Sequence, residues 1–277
     1  MAAFYDDLRL AHVLADAADD ISLRRFRALD LNVDTKPDLT PVSDADRAVE
    51  EALRGILTRG RPRDAVLGEE YGLTGNSSRC WVVDPIDGTK NYVRGAPVWA
   101  TLVALLEGNR PVVGLVSAPA LNRRWWASHG SGTWSGRSLA KATRCAVSGV
   151  TKLPDASLSF SSLHGWEEKE LLGPFLSLTR DVWRTRAYGD FWSHVMVAEG
   201  TVDIAAEPEL SLWDAAPLPL LLEEAGGRAT GLDGQPFVDG GTLVCTNANL
   251  HDAVLTQLNG GPTPMRFAAD PAQSDSS

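Results

Sequence analysis

Hydrophobic positions along this chain follow two periods, one helical and one extended. Leu10, Val13, Leu14, Ala17, Ala18 and Ile21 recur in steps of three and four, which predicts a helix over residues 4–29. Val49, Ala52, Leu53, Ile56 and Leu57 give the same stripe to a second helix over 43–58, opened by Ser43 and Asp46 in a capping-box pattern. Between them, 31–41 reads as a loop or short hairpin; its Lys36-Pro37-Asp38 could reach an active site, with a solvated loop the favoured reading. Short apolar runs then predict strands at 64–68, 80–83, 99–106, 112–118 and 124–128, with a hairpin around Gly108-Asn109. The glycine-rich 129–136 lacks the GxxxxGK[ST] form and reads as a hairpin turn rather than a phosphate loop.

From about Lys152 strands alternate with helices again. Strands are expected at 156–161, 182–186, 202–206, 228–231 and 243–246. Helices are expected at 167–179 despite Pro174, from Gly189-Asp190 to Gly200, from Trp213-Asp214 to Gly226-Gly227, and from Leu250 onward. The Gly-, Pro- and Ser-rich residues 259–277 read as a disordered tail. The organisation expected is an α/β fold with an N-terminal half, 1–151, and a C-terminal half, 152–258.

Composition narrows the function. The 277 residues are 44% hydrophobic and 22% charged, as in an ordinary globular chain, and carry a net charge of −10. That balance disfavours nucleic-acid and anionic-membrane binding. Asp6, Asp7 and Arg9 argue against a signal peptide, and no apolar run reaches membrane-spanning length. Cys80, Cys145 and Cys245 are few and not in metal spacing, so they read as reduced thiols of a cytoplasmic protein.

The chemistry concentrates in Trp81-Val82-Val83-Asp84-Pro85-Ile86-Asp87-Gly88-Thr89-Lys90-Asn91. An apolar strand delivers Asp84, Pro85 fixes a turn, and Asp87 stands at the mouth of a following helix that it could also cap. Two carboxylates with the Ile86 carbonyl between them supply the hard oxygens a divalent cation takes. The backbone N–H groups from Gly88 offer an anion site beside them. The plain alternative is a Pro/Asp/Gly turn. Asp46, the adjacent pair Glu69-Glu70, and Asp214 likewise end a strand or start a helix. Singly, these read as a helix-capping acid, a solvated acidic loop and an N-cap. Jointly, they read as side chains gathered at one crevice of an α/β sheet.

Gly68-Glu69-Glu70, Asp84-Pro85-Ile86-Asp87-Gly88-Thr89 and Trp213-Asp214-Ala215-Ala216-Pro217 resemble the three signature motifs of the inositol monophosphatase family, and Val42-Ser43-Asp44-Ala45-Asp46 resembles its V-T-x-x-D. The resemblance spans residues 4–258. It implies a five-layer αβαβα sandwich of the inositol monophosphatase and fructose-1,6-bisphosphatase type. It also implies Mg²⁺-dependent hydrolysis of small phosphomonoesters, two or three Mg²⁺ per site, lithium sensitivity and a homodimer. Carried over by position, Glu69, Asp84 and the Ile86 carbonyl would hold one Mg²⁺, and Asp84, Asp87 and Asp214 a second. Thr89 and Asp46 would orient water and take its proton, Gly88 and Thr89 would grip the phosphate, and Glu70 would support Glu69.

On the substrate side the family usually reads G-S-A-A where this chain has Gly189-Asp190-Phe191-Trp192. Asp190 with Glu207 would make an anionic wall, which suits a cationic amine better than a polyol, and Trp183, Tyr188, Phe191 and Trp192 could flank a ring. These features resemble the histidinol-phosphatase branch. Arg186 and Glu207 match other residues of the family's substrate wall; the alternatives are an N-cap role for Asp190, and for Arg186 either a reach across the site or a pairing with Asp190. The runner-up substrates are inositol, sugar or nucleotide phosphates, and a different class altogether is a catalytically silent binding module. The histidines (His12, His129, His164, His194, His251) fall in no motif and read as surface or satisfied structural residues.

Overall fold

In the computed structural model the described residues are 4–37 and 40–260; Asp38 and the tail from 261 onward lie outside them. Helices α1 (Tyr5–Arg25) and α2 (Asp44–Gly60) flank a hairpin of β1 (Val33–Thr35) and β2 (Pro41–Ser43). α1 stops four residues short of the sequence expectation, because Phe26 turns inward onto Tyr92 and Trp99. α2 starts as predicted, with the Ser43 backbone N–H donating to Asp46 Oδ2 at 2.8 Å.

The first sheet is built from β3 (Ala65–Gly68), β4 (Gly72–Thr74), β5 (Arg79–Asp87), β6 (Ala100–Glu107), β7 (Arg110–Ala118), β8 (Arg123–Ser128), β9 (Thr133–Ser138) and β10 (Lys141–Arg144), with α3 (Thr89–Arg94) inserted after β5. Its order is β10-β9-β8-β7-β6-β5-β3-β4, and β3 with β5 is the parallel pair. β4 and β10 are short edge strands without clear alternation, so the pattern did not reveal them. The glycine-rich connection turns at its start, but from Thr133 it is already β9.

The second sheet, in order β12-β11-β13-β15-β14, uses β11 (Ser157–Ser159), β12 (Arg184–Arg186), β13 (Ile204–Glu207), β14 (Arg228–Thr230) and β15 (Leu243–Thr246). Helices α4 (His164–Glu168), α5 (Leu172–Asp181), α6 (Asp190–Ala198), α7 (Leu212–Ala215), α8 (Leu218–Glu224) and α9 (His251–Leu258) complete the chain. Two expected helices are each broken in two. The 167–179 helix splits at Glu170, whose φ is +58°, and Pro174 falls in the first turn of α5, where its missing N–H costs nothing. The leucine-rich helix splits at Pro217 into α7 and α8.

Three apolar cores separate the layers. α1 and α2 cover one face of the large sheet through Leu14, Leu53 and Trp81. α6 and α8 fill the space between the sheets with Phe191, Val195, Leu221 and Leu222. α5 and α9 close the outer face of the small sheet through Phe175, Leu178 and Val254. The result is the αβαβα sandwich. Four tryptophans, Trp81, Trp99, Trp125 and Trp166, are fully buried, whereas Trp183 stands 66% exposed.

One glycine is required by what passes beside it. A Cβ on Gly68 would sit 2.1 Å from Glu50 Oε1. Glu50 is fully buried, accepts the Glu70 and Tyr71 backbone N–H groups at 2.7 and 3.2 Å, and is paired with Arg54 at 2.7 Å. α2 thereby fixes the turn that follows β3. Gly68→Ala is expected to cost about 1–3 kcal/mol through overpacking; a urea melt with an unchanged midpoint would contradict this reading.

Candidate active site

The site lies where β5 ends. Asp84 and Asp87 are three apart, and in a regular strand an odd spacing puts two side chains on opposite faces. Here Asp84 pairs with Leu102 and Asp87 with Ala100, so β5 carries one extra residue, a β-bulge. Pro85, which has no N–H to offer the ladder, sits in that bulge, and its carbonyl accepts the Thr101 hydroxyl at 2.8 Å. The bulge restores parity. Asp84, Asp87 and Asp214 each present an oxygen within 4.8 Å of the others'.

Each carboxylate is held by backbone. Asp84 accepts the Ile86 N–H at 3.0 Å, Asp87 the Phe191 N–H at 2.7 Å, and Asp214 the Ser211 N–H at 2.9 Å. Two capping expectations are therefore corrected. Asp87 does not cap α3, whose N-cap is Gly88 at φ +80°, and Asp214 stands in the first turn of α7 after Ser211. A Cβ on Gly88 would meet the Val98 carbonyl at 2.9 Å and Asp190 Oδ2 at 3.3 Å, so this position has no room for another residue. Burial, reinforced by the neighbouring acids, raises the pKa values of Asp84 and Asp87 well above the usual carboxylate range and that of Asp214 to about 6. An all-oxygen cluster of one buried and two half-buried carboxylates fits a hard divalent cation.

Glu69 lines the same cavity but is not part of that three-carboxylate cluster. Its Oε1 is 2.6 Å from Lys36 Nζ, and Glu70 Oε1 is 2.7 Å from the same ammonium. Lys36 was expected to be solvated. Instead the β1–β2 hairpin carries it onto the acidic pair, where it relieves their repulsion. Burial opposes its charge, but the hydrogen bonds it donates to Glu69 and Glu70 outweigh that and hold its pKa above the ordinary lysine value. Asp46 and Thr89 do meet: Thr89 Oγ1 lies 3.3 Å from Asp46 Oδ1 and 2.9 Å from the Ile86 carbonyl oxygen. Burial raises the Asp46 pKa. Asp44 is taken up elsewhere, in an ion pair with Arg25 at 2.7 Å.

A cavity of about 520 Å³ extends from these acids to Ser161, Asp190, Phe191, His194, Glu207 and Trp213. Asp190 is not an N-cap. Gly189 holds that position, and the Asp190 carboxylate accepts the Asn91 side-chain N–H at 2.7 Å. Asp190 itself adopts φ +49°, a left-handed conformation that aspartate tolerates at some cost. Its backbone N–H donates to Ser161 Oγ, which in turn donates to Glu207. Burial pushes Glu207 to about 8 and Asp190 to about 6, so at neutral pH the wall's charge rests on Asp190. Arg186 neither lines the cavity nor pairs with Asp190; its guanidinium donates to the Thr185 carbonyl at 2.8 Å. Of the four aromatics expected to flank a ring, only Phe191 lines the cavity; Tyr188 and Trp192 pack on each other at 5.4 Å. Trp213, inside the third motif, lines it too. Sequence reading also missed His194, whose link to the site is its place four residues after Asp190 on α6.

The family model for the inositol monophosphatase family matches residues 7–261. The chain belongs to that family. It is 62% identical over 263 residues to a histidinol-phosphatase of Streptomyces coelicolor, covering 94% of this chain and 99% of that one. It is 59% identical over 258 residues to a histidinol-phosphatase of Mycobacterium tuberculosis, covering 93% and 99%. Among solved structures, an inositol monophosphatase from Zymomonas mobilis superposes with a TM-score of 0.82 at 32% identity, covering 94% of this chain and all of that one. Family membership accounts for the sandwich and for the order in which the acidic motifs arrive at one crevice.

The raised carboxylate pKa values carry a sign. A carboxylate whose folded pKa exceeds its unfolded value contributes stability at low pH and loses it as pH rises through the folded pKa. Buried His12, His194 and His251, each lowered to about 4, oppose this only below the ordinary histidine pKa of 6.5. Between pH about 6.5 and 8 the groups left to act are Glu207, raised to about 8, and Asp84 and Asp87, raised well above the usual carboxylate range, since Asp214, at about 6, acts mainly below that window. With divalent cations chelated, the melting temperature is therefore expected to fall across that window, and saturating Mg²⁺ is expected to flatten the decline. A melting temperature that rises with pH in the chelated protein would contradict the assignment.

Proposed function

We propose that this protein is a Mg²⁺-dependent phosphoric monoester hydrolase whose substrate is L-histidinol phosphate, releasing L-histidinol and phosphate in histidine biosynthesis. The observation that carries the substrate choice is Asp190. A carboxylate stands on the cavity wall beside Asp87, at a position where the family usually has a small hydroxyl residue. It is fixed by Asn91 and backed by Glu207 through Ser161. Such a wall accepts an ammonium and ring N–H groups. A cation arriving beside Glu207 would favour its ionised form. Two relatives that cover nearly the whole chain at about 60% identity bear the name histidinol-phosphatase, and this supports the same reading.

Asp84, Asp87 and Asp214 would hold one cation, and Glu69 with Asp84 and the Ile86 carbonyl another. Bound Mg²⁺ supplies the positive charge that neutralises the phosphate and makes water a better nucleophile. The residues around it have separate tasks. Thr89 and Asp46, already in contact, orient the attacking water and take up its proton. The N–H groups of Gly88 and Thr89, at a helix start where no intrahelical acceptor exists, face the phosphate oxygens. Lys36 must release Glu69 when a cation takes that carboxylate. A homodimer and a reducing cytoplasmic setting fit the family resemblance and the three free thiols. Among the described residues no helix is long and apolar enough to cross a membrane.

Comparing kcat/KM for histidinol phosphate and inositol 1-phosphate with Mg²⁺ tests the substrate. The expected preference is for histidinol phosphate, and a clear preference for the inositol ester would overturn it. Asp190→Ser is expected to impair histidinol phosphate far more than an aryl phosphate; equal loss on both would make Asp190 structural. Asp84→Asn should abolish turnover while leaving the circular dichroism spectrum intact. Turnover near the wild-type rate would sink the metal assignment.

A further inference from the structure

Asp214 sits in α7, a helix of four residues, too short to hold its own shape in water. Part of its surface packs on the large sheet, where Leu212, Trp213 and Ala216 share an apolar cluster with Val82, Ala104 and Leu106. Another part is open. Leu212, Ala215 and Ala216 border a cavity of about 820 Å³ that Phe237 and Val238 also line. Packing therefore does not fix the helix on every side.

The connection between β14 and β15 supplies what packing leaves out. Asp239 Oδ1 accepts the Leu212 N–H at 2.7 Å. Beside it, the Leu210 N–H donates to the Gly241 carbonyl at 3.0 Å, and the Gly240 N–H donates to the Leu210 carbonyl at 2.9 Å. Asp239 is presented by a tight turn: the Gly241 N–H donates to the Val238 carbonyl at 2.9 Å, and Gly240 takes φ +73°. The three N–H groups that lead into α7 thus go to three acceptors, Leu210 to Gly241, Ser211 to Asp214 and Leu212 to Asp239. Only the middle one is held by Asp214. That carboxylate has two tasks, to cap its own helix start and to face Asp84 and Asp87. A cation drawing on it pulls at the backbone it holds. Asp239 stands outside the acidic cluster and anchors the same backbone without being drawn on.

We propose that Asp239 is a positioning residue, whose bond to the Leu212 N–H fixes the start of α7 and so keeps Asp214 in place for the metal. The inference rests on the assignment of Asp214 to a cation and goes beyond it, because Asp239 belongs to none of the acidic motifs.

The test is a calorimetric titration of the metal-free protein with Mg²⁺. Asp239→Ala is expected to raise the Mg²⁺ Kd about 2- to 30-fold, the range that losing a helix cap covers. The Mg²⁺ dependence of p-nitrophenyl phosphate hydrolysis should move to higher Mg²⁺ by the same factor. Asp239→Asn keeps an acceptor oxygen without the charge, and asparagine caps as well as aspartate, so its Kd should return to within about twofold of wild type. Asp239 is exposed, so both variants are expected to fold. A wild-type Kd in Asp239→Ala would overturn the inference. So would an Asp239→Asn that loses as much as the alanine variant, since the effect would then belong to charge and not to the bond. No saturable Mg²⁺ binding by the wild type, or unchanged binding in Asp214→Asn, would instead overturn the metal assignment on which the inference rests.

Discussion

Three aspartates, buried Asp84 and half-buried Asp87 and Asp214, are held closer together than their charges favour, and the rest of the site follows from that constraint. Removed from water, each carboxylate prefers to keep a proton; Asp87 and Asp214 further raise Asp84, and Asp214 raises Asp87, while a hydrogen bond with Asp84 partly offsets the rise at Asp214. The fold opposes this with rigid supports. A bulged strand delivers two of the acids and the first turn of a short helix the third, and one backbone N–H holds each in place. A divalent cation turns this local cost into binding energy, because the charges that repel one another are the charges it needs.

The same backbone ties the metal acids to the substrate wall. Asp87 accepts the N–H of Phe191, and Asn91, one turn into α3, holds the carboxylate of Asp190. Moving either element would disturb both the cluster and the recognition surface. Glu69 is arranged differently. Its carboxylate is shared with Glu70 around Lys36, so the chain supplies its own counter-ion where a second cation would sit. On the proposed assignment of Glu69 to a second cation, exchange of ammonium for metal would require Lys36 and its hairpin to yield.

Much of this was legible in the sequence because local rules and function agreed. The Ser43–Asp46 capping box, the strand leading to Asp84 and the helix opening at Gly189-Asp190 each carry a short-range signal. The three acidic motifs were readable because spacing and order are properties of the chain itself. What failed depended on distant partners. Lys36 looked like a loop lysine because nothing within the hairpin shows that Glu69 and Glu70 approach it. Arg186 looked like a site residue because it matches a substrate-wall position of the family, yet its guanidinium finds its own neighbour's carbonyl. His194 belongs to no motif; only the fold places Cys245 against one ring nitrogen and the cavity beside the ring. The breaks at Glu170 and Pro217 likewise reflect packing between the two sheets, which no local period encodes.

The most direct test is to count the protons released when Mg²⁺ binds. Calorimetric titrations of the metal-free protein in buffers of different ionisation enthalpy give that number. If the aspartate cluster is partly protonated until the cation arrives, binding at pH about 6.5 releases protons, and the release shrinks as pH rises. Saturable Mg²⁺ binding with no proton release at that pH, or no binding at all, would contradict the account.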